Sequence, residues 1–328
     1  MAACLASSNV ARPNMPNACF NGTYAKTSVQ HAVVSTRRGS SFIGKFHSSS
    51  GSVQALSAAK RTNVVFKVKR EFAAHASAST PQYQGTRNAT ADLEALVAAL
   101  RQGDPVCILD AADREGETDL FFPAIDTHAT SLRQLRTQAG GELYIAVGHE
   151  VASAFGLPFV GEALDSASAK FPVLSGMSKS AGGMCQGTCS VGLSLDHRST
   201  HTGAPDDERS FTCRRLAEMV KVALEQPHEV QTNAEALGKE FHIPGHIFLC
   251  QESTVGLAAR RGHSELAVAA ARAAGVVPVM VGCVMLNNEG DEFGALSPAA
   301  AQQWARANGV PFIDGKDMAE ALGFPREL

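Results

Sequence analysis

Residues 88–328 alternate between helix-like and strand-like stretches without an internal repeat. This predicts an α/β (mixed α+β) fold, a single compact domain with a central mixed sheet flanked by helices. Composition agrees. Of 328 residues 45% are hydrophobic and 19% charged, enough apolar material for a sizeable core and inconsistent with a wholly disordered chain. The helix-like stretches also carry start and stop signals in the expected places.

Taken in order, residues 91–102 (ADLEALVAALRQ) have apolar side chains at helical spacing and stop at Gly103. Short apolar runs follow at 106–109 and 120–125. Residues 131–139 read as a helix closed by Gly140-Gly141, 143–147 as a buried strand, and 150–155 as a helix stopped by Gly156. Residues 170–188 read as a mobile loop or connection. The alternation in 189–195 (CSVGLSL) predicts a strand. Residues 206–224 form the clearest long helix, with Pro205 and a run of acids at its start. A helix over 264–274 is capped by Gly275 and followed by a strand over 278–286. A last helix at 298–308 precedes a strand at 310–313.

The first eighty residues predict something else. Residues 1–70 hold ten Lys/Arg and no Asp or Glu, and are rich in Ser and Ala. That is the composition of an organellar transit peptide, disordered before import, with chloroplast the expected destination and mitochondrion the alternative. The domain of 88–328 follows it. Residues 71–328 are left with 19 bases against 32 acids, a net charge of −13. Such a body is unsuited to nucleic acid, which needs a basic face. No apolar run approaches the roughly 20 residues that cross a bilayer, so no membrane role is expected. The eight cysteines are scattered without CxxC spacing and read as free thiols, mostly buried.

Three segments carry chemistry. In DREGETD (113–119), Glu115, Glu117 and Asp119 alternate. If the segment is extended, their carboxylates share one side, with Arg114 on the other. Crowded acids need a cation, a shared proton or a basic substrate, and otherwise form a solvated acidic loop. In RRGHSE (260–265), Ser264 is placed as the N-cap of the next helix beside Arg260, Arg261 and His263. That arrangement suits a phosphate, or simply an ordinary capped helix. In IPGHI (243–247), Pro-Gly predicts a turn presenting His246 before an apolar strand. Between them, TGAPDDER (202–209) opens the long helix and offers a second anion contact.

In this order, DREGETD, HTGAPDDER, PGHI and RRGHSE resemble the 3,4-dihydroxy-2-butanone 4-phosphate synthases of riboflavin biosynthesis, with wording nearest the archaeal type, from about residue 93 to about 317. The resemblance implies a lyase that converts D-ribulose 5-phosphate to the four-carbon phosphate and formate. It also implies Mg²⁺ or Mn²⁺ and a homodimer with sites near the subunit interface. Carried over by position, Glu115 and His263 are the metal ligands, and Glu117, Asp119 and His246 the catalytic groups. Arg114, Glu115 and Asp119 contact the sugar, while Thr202, Gly203, Arg260 and Ser264 hold the phosphate end.

The chain departs from the family pattern at several positions. Where the family carries Cys-Glu after the RGH helix, the chain has Cys283-Val284, and a valine moves no proton. Tyr144 stands where the family has Cys after the Gly-Gly turn, and Ser264 replaces Thr. His242 and Gln251 each stand where an Arg is usual. An alternative reading is therefore a degenerate, non-catalytic paralogue that binds sugar phosphate or pairs with an active subunit.

Overall fold

The computed structural model describes Tyr83, Gly85 and residues 88–177, 191–288 and 293–328. The leader of residues 1–80, most of the connection expected after residue 177, and Cys185 and Cys189 lie outside the described residues. Seven strands form one mixed sheet: β1 (Val106–Leu109), β2 (Thr118–Pro123), β3 (Tyr144–Val147), β4 (Val191–His197), β5 (Phe241–Gln251), β6 (Val279–Val284) and β7 (Phe312–Asp314). Their spatial order is β4-β5-β3-β6-β2-β1-β7. β1 pairs parallel with β7, and β3 parallel with β5, while the β1–β2, β2–β6, β3–β6 and β4–β5 pairs are antiparallel.

The helices are α1 (Ala89–Gln102), α2 (Ala129–Gln134), α3 (His149–Phe155), α4 (Val160–Ala167), α5 (Pro172–Met177), α6 (Asp206–Ala223), α7 (Val230–Glu240), α8 (His263–Ala274), α9 (Pro298–Asn308) and α10 (Gly315–Ala321). They cover both faces. Every residue of β1 and β2 is buried, as expected of central strands covered on both sides. Side chains alternate between two cores. Phe121, Ile108, Ala146 and Met280 pack with Leu96 and Leu100 of α1 and Leu266 of α8. Leu120, Ile145, Val281 and Cys283 pack with Leu132 of α2 and Leu216 and Val220 of α6. Each fully buried Leu or Ile stabilises by about 1.5–3 kcal/mol, so these two layers outweigh any helix cap.

The caps explain where the predicted helices stop. Asn88 Oδ1 accepts the Ala91 N–H at 3.1 Å at the start of α1, and Gly103 ends it at φ 80°. Ser297 caps α9 in the same way. The helix expected over 131–139 is α2 followed by a π-helical turn, Leu135–Ala139, which Gly140 closes at φ 86°.

Five differences from the sequence reading follow from tertiary context. α4, α7 and α10 were not foreseen, and a short helix, α5, occupies part of the expected connection. The Pro-Gly of 244–245 makes no turn. It lies inside the eleven-residue β5, where the Ile243–Pro244 peptide is cis and a Cβ on Gly245 would overlap the Leu195–Asp196 peptide of β4. Glycine serves there to bring two strands together.

Candidate active site

The acidic segment is built by a residue just outside it. Asp110, 1% exposed at the end of β1, accepts N–H groups from Glu115 and Glu117, each at 3.0 Å, and the Arg114 guanidinium at 2.8 Å. Three of its roughly four acceptor sites are thereby filled. The chain between β1 and β2 folds around it into a tight turn in which Arg114 and Gly116 both donate to the Ala111 carbonyl. Gly116 sits at φ 69°, a left-handed conformation that favours glycine. The extended arrangement expected for Glu115, Glu117 and Asp119 is therefore corrected, since the strand starts only at Thr118. Arg114 does not stand on the opposite side either, because its guanidinium lies 2.9 Å from Glu115 Oε1.

His263 opens α8 and points at this turn. Its Nε2 lies 3.1 Å from the Glu117 carbonyl oxygen, which requires Nε2–H as donor and leaves the Nδ1 lone pair facing Glu115 Oε2 at 3.8 Å. Two ligands of one Mg²⁺, each about 2.1 Å from the ion, stand at most about 4.2 Å apart, so this pair fits a divalent cation. Asp110 contributes a third donor, all three lying within 4.8 Å of one another. Asp110 is already occupied by its N–H donors and serves better as the organiser of the turn.

Asp119, 2% exposed on β2, receives the Tyr144 O–H on Oδ2 at 2.5 Å. Its Oδ1 has no hydrogen-bond partner among the described residues and lies 3.6 Å from His263 Nε2. Burial raises the Asp119 pKa, against the opposing pull of His263 and Tyr144. Burial, then the neighbouring Glu115 charge, raises that of Glu117. For His263 burial pulls the pKa down, but Asp119, Asp110 and Glu115 together set it above its ordinary value.

Beside this cluster opens a cleft of about 630 Å³, lined by Asp110, Arg114, Glu115, Arg260, Lys316 and Arg326 among others. Arg260 is held by Glu265 at 3.0 Å, and the same carboxylate accepts the Gly262 N–H at 3.1 Å. Gly262, not Ser264, is thus the N-cap of α8. Ser264 is buried within the first turn, because the chain turns in one residue earlier to seat His263 against the Glu117 carbonyl. Lys316, which the motifs did not flag, bonds Asp113 at 2.7 Å and Glu327 at 3.0 Å at the cleft's edge. Its signal was weak, a lone Lys in a helix start.

His246 stands apart. It lines a second cleft of about 240 Å³ with Arg136, Gly141, Asp206, Arg209 and Cys283. Its Nδ1 and its backbone N–H both bond Asp196, 1% exposed on β4. Asp196 is the second residue the sequence reading missed; the only clue was a polar residue at the end of an apolar strand. Thr202 and Gly203 are exposed in the turn before α6 and line neither cleft. The structure thus gathers Arg114, Glu115, Glu117, Asp119, Arg260, His263 and Ser264 around one end of the sheet, and leaves His246, Thr202 and Gly203 outside that group.

Carboxylates and an imidazole spaced for a divalent cation, beside a cleft where basic side chains (Arg114, Arg260, Arg261, Lys316, Arg326) alternate with acids (Asp110, Asp113, Glu115, Glu327), suit an α/β enzyme acting on a small polar, oxygen-rich substrate. Comparison with known proteins gives the family. The profile of the 3,4-dihydroxy-2-butanone 4-phosphate synthases matches residues 94–321, and the chain belongs to that family. It is 35% identical over 238 residues to the synthase of Archaeoglobus fulgidus, covering 72% of this chain and 96% of the relative. To the synthase of Methanosarcina mazei it is 32% identical over 240 residues, covering 73% and 94%. A crystal structure of a 3,4-dihydroxy-2-butanone 4-phosphate synthase in complex with two magnesium ions shares the fold, with a TM-score of 0.55 at 22% identity, covering 70% of this chain and 95% of that one. Enzymes of this family are lyases of riboflavin biosynthesis that act on ribulose 5-phosphate.

Proposed function

We propose that the chain converts D-ribulose 5-phosphate to L-3,4-dihydroxy-2-butanone 4-phosphate and formate, using the cluster around Glu115, Asp119 and His263. The observation that carries this reading is the position of that cluster beside a cleft that presents Arg114, Arg260, Arg261, Lys316 and Arg326, in a chain of this family. Glu115 and His263 would hold Mg²⁺ or Mn²⁺, whose charge stabilises the negative charge that develops on the sugar oxygens. Arg114 and Arg260, both anchored by acids, would hold the substrate's anionic end without collapsing into the cleft. Glu117 and Asp119, with pKa values raised by burial, are suited to exchange protons with the sugar hydroxyls. His246 would act as a further acid–base group, its Nδ1 proton held on Asp196 and its ring at the wall of the second cleft.

A homodimer is part of this reading. The separation of His246, Thr202 and Gly203 from the Glu115 cluster supports a site completed by a second copy. The acid-free composition of the leader supports import into a chloroplast. The direct test is incubation of the protein with ribulose 5-phosphate and Mg²⁺, with formate measured by a coupled dehydrogenase. Absence of formate at any cation concentration would overturn the reading.

A further inference from the structure

One face of the sheet carries an arrangement that the motifs do not describe. Register pairs Asp119 with Val284, Phe121 with Gly282, and Tyr144 with Gly282. Opposed residues of antiparallel strands share a face, so these five side-chain positions look the same way, toward α8. β6 lies between β3 and β2, and the Tyr144 side chain must cross it to reach Asp119. Gly282 leaves the space, since a Cβ there would overlap the Phe121 ring. The Tyr144 and Phe121 rings meet edge to face, with centroids 6.0 Å apart. The phenol thus arrives at Asp119 Oδ2 on a ring fixed from the side, and it is the side-chain donor to that carboxylate.

The remaining oxygen is the unusual one. A carboxylate oxygen buried without a partner costs free energy and calls for an explanation. Val284, on the opposing rung, can supply no hydrogen bond or proton. Asp119 Oδ1 is left as an acceptor beside His263, at the end of the cluster assigned above.

We propose that Tyr144 is a positioning residue for the lyase reaction, its O–H clamping Asp119 Oδ2 so that the buried Oδ1 is held beside the His263 ring and keeps that ring oriented. This rests on the proposed function. Tyr144 contacts no substrate itself and acts only through Asp119. Because the phosphate and cation contacts lie elsewhere, its loss should slow turnover without weakening substrate binding.

The test compares wild type, Tyr144→Phe, Asp119→Asn and the double variant in formate release, with kcat and KM separated. Tyr144→Phe keeps the ring contact with Phe121 and removes only the O–H. It should lower kcat about 10–100-fold, the usual loss when a supporting hydrogen bond to a reacting group is removed. KM should stay within about twofold, because the interaction is not one of uniform binding. In the Asp119→Asn background the second change should cost nothing further, because the two residues act as one unit. A thermal melt of each variant shows that the rates are read on folded protein, and Tyr144→Leu, which also lacks the O–H, should give the same loss in kcat. Equal kcat in wild type and Tyr144→Phe, a raised KM with unchanged kcat, or additive losses in the double variant would overturn the proposal while leaving the function intact. A wild-type protein that releases no formate would overturn both.

Discussion

Asp196→Asn is a change of one atom with a calculable consequence. The wild-type carboxylate has two acceptor oxygens, and both are used. Oδ1 takes the His246 backbone N–H at 3.0 Å and Oδ2 takes the ring Nδ1–H. That second bond fixes the tautomer and leaves the Nε2 lone pair facing the cleft, on a side chain that is 42% exposed. An asparagine has one acceptor and one donor. If its oxygen serves the backbone N–H, its NH₂ faces Nδ1, which must then be bare, and the proton moves to Nε2. The base is then pointed the wrong way. A positioned general base contributes about 10²–10⁴-fold, so kcat should fall by about 10²-fold or more while KM changes little. Stability should fall far less. Charge-assisted bonds replaced by neutral ones cost about 1–3 kcal/mol, equivalent to a drop of several degrees in Tm for a domain of this size. Formate release and a thermal melt on the same preparation separate the two effects. A variant with kcat within about twofold of wild type would falsify the assignment of His246 as an acid–base group oriented by Asp196.

Three further outcomes are expected. Glu115→Gln and His263→Ala should each abolish Mn²⁺ binding in titration calorimetry, with unchanged isotherms in both refuting the ligand pair. Glu252 sits 1% exposed at the end of β5, and although burial pushes its pKa up, bonds from Arg272 at 2.6 and 2.7 Å hold it below the ordinary carboxylate range. Its contribution to stability is therefore present above the unfolded pKa of about 4.3 and lost as pH falls through the lower folded value. Arg272→Ala should cost about 2–3 kcal/mol at pH 7, discounted from the fully buried case because Arg272 is 37% exposed. That cost should shrink in acid as Glu252 protonates, and a denaturant midpoint difference independent of pH would count against the clamp. A fluorescent protein carrying residues 1–80 should enter plastids, and diffuse cytosolic signal would exclude the targeting role.

Local signals were enough for much of the fold. α1, α6, α8 and α9 carry 3.6-residue periodicity bounded by Gly, Pro, Asn or Ser caps, and each lies within a residue or two of its predicted range. The misses share a cause. Pro244 and Gly245 read locally as a turn, but the close approach of β4 makes the glycine a strand residue. α10 begins with Gly315, a poor helix former, and depends on Asp314 Oδ1 accepting the Lys316 N–H. In the candidate site, DREGETD and RRGHSE pointed to Glu115, Glu117, Asp119 and His263, which the structure brings together, whereas their conformation was not legible. Asp110 lies three residues before the motif, and nothing in the motif announces that it will gather three donors. Asp196 and Tyr144 were harder still, because their partners lie fifty and twenty-five residues away and meet them only across the sheet.

On the proposed reading, a body of net charge −13 receives a phosphate ester in a cleft whose five basic side chains stand among four acids. Each of its basic side chains is already engaged: Arg114 with Asp110 and Glu115, Arg260 with Glu265, Lys316 with Asp113 and Glu327, and Arg326 with Asp317 and Glu320. Arg261 donates to the carbonyls of Pro325 and Arg326, which draws the end of the chain to the same edge. Unpaired cations in such numbers would repel one another and sweep many rotamers. Paired, they are held in place, and a planar guanidinium that gives one edge to an acid can still give another to phosphate oxygens. The acids that make the whole body negative are therefore the same groups that fix the local positive sites. On the proposed reading, an anionic substrate is recognised at short range, by placed donors, and not by the long-range field of the protein.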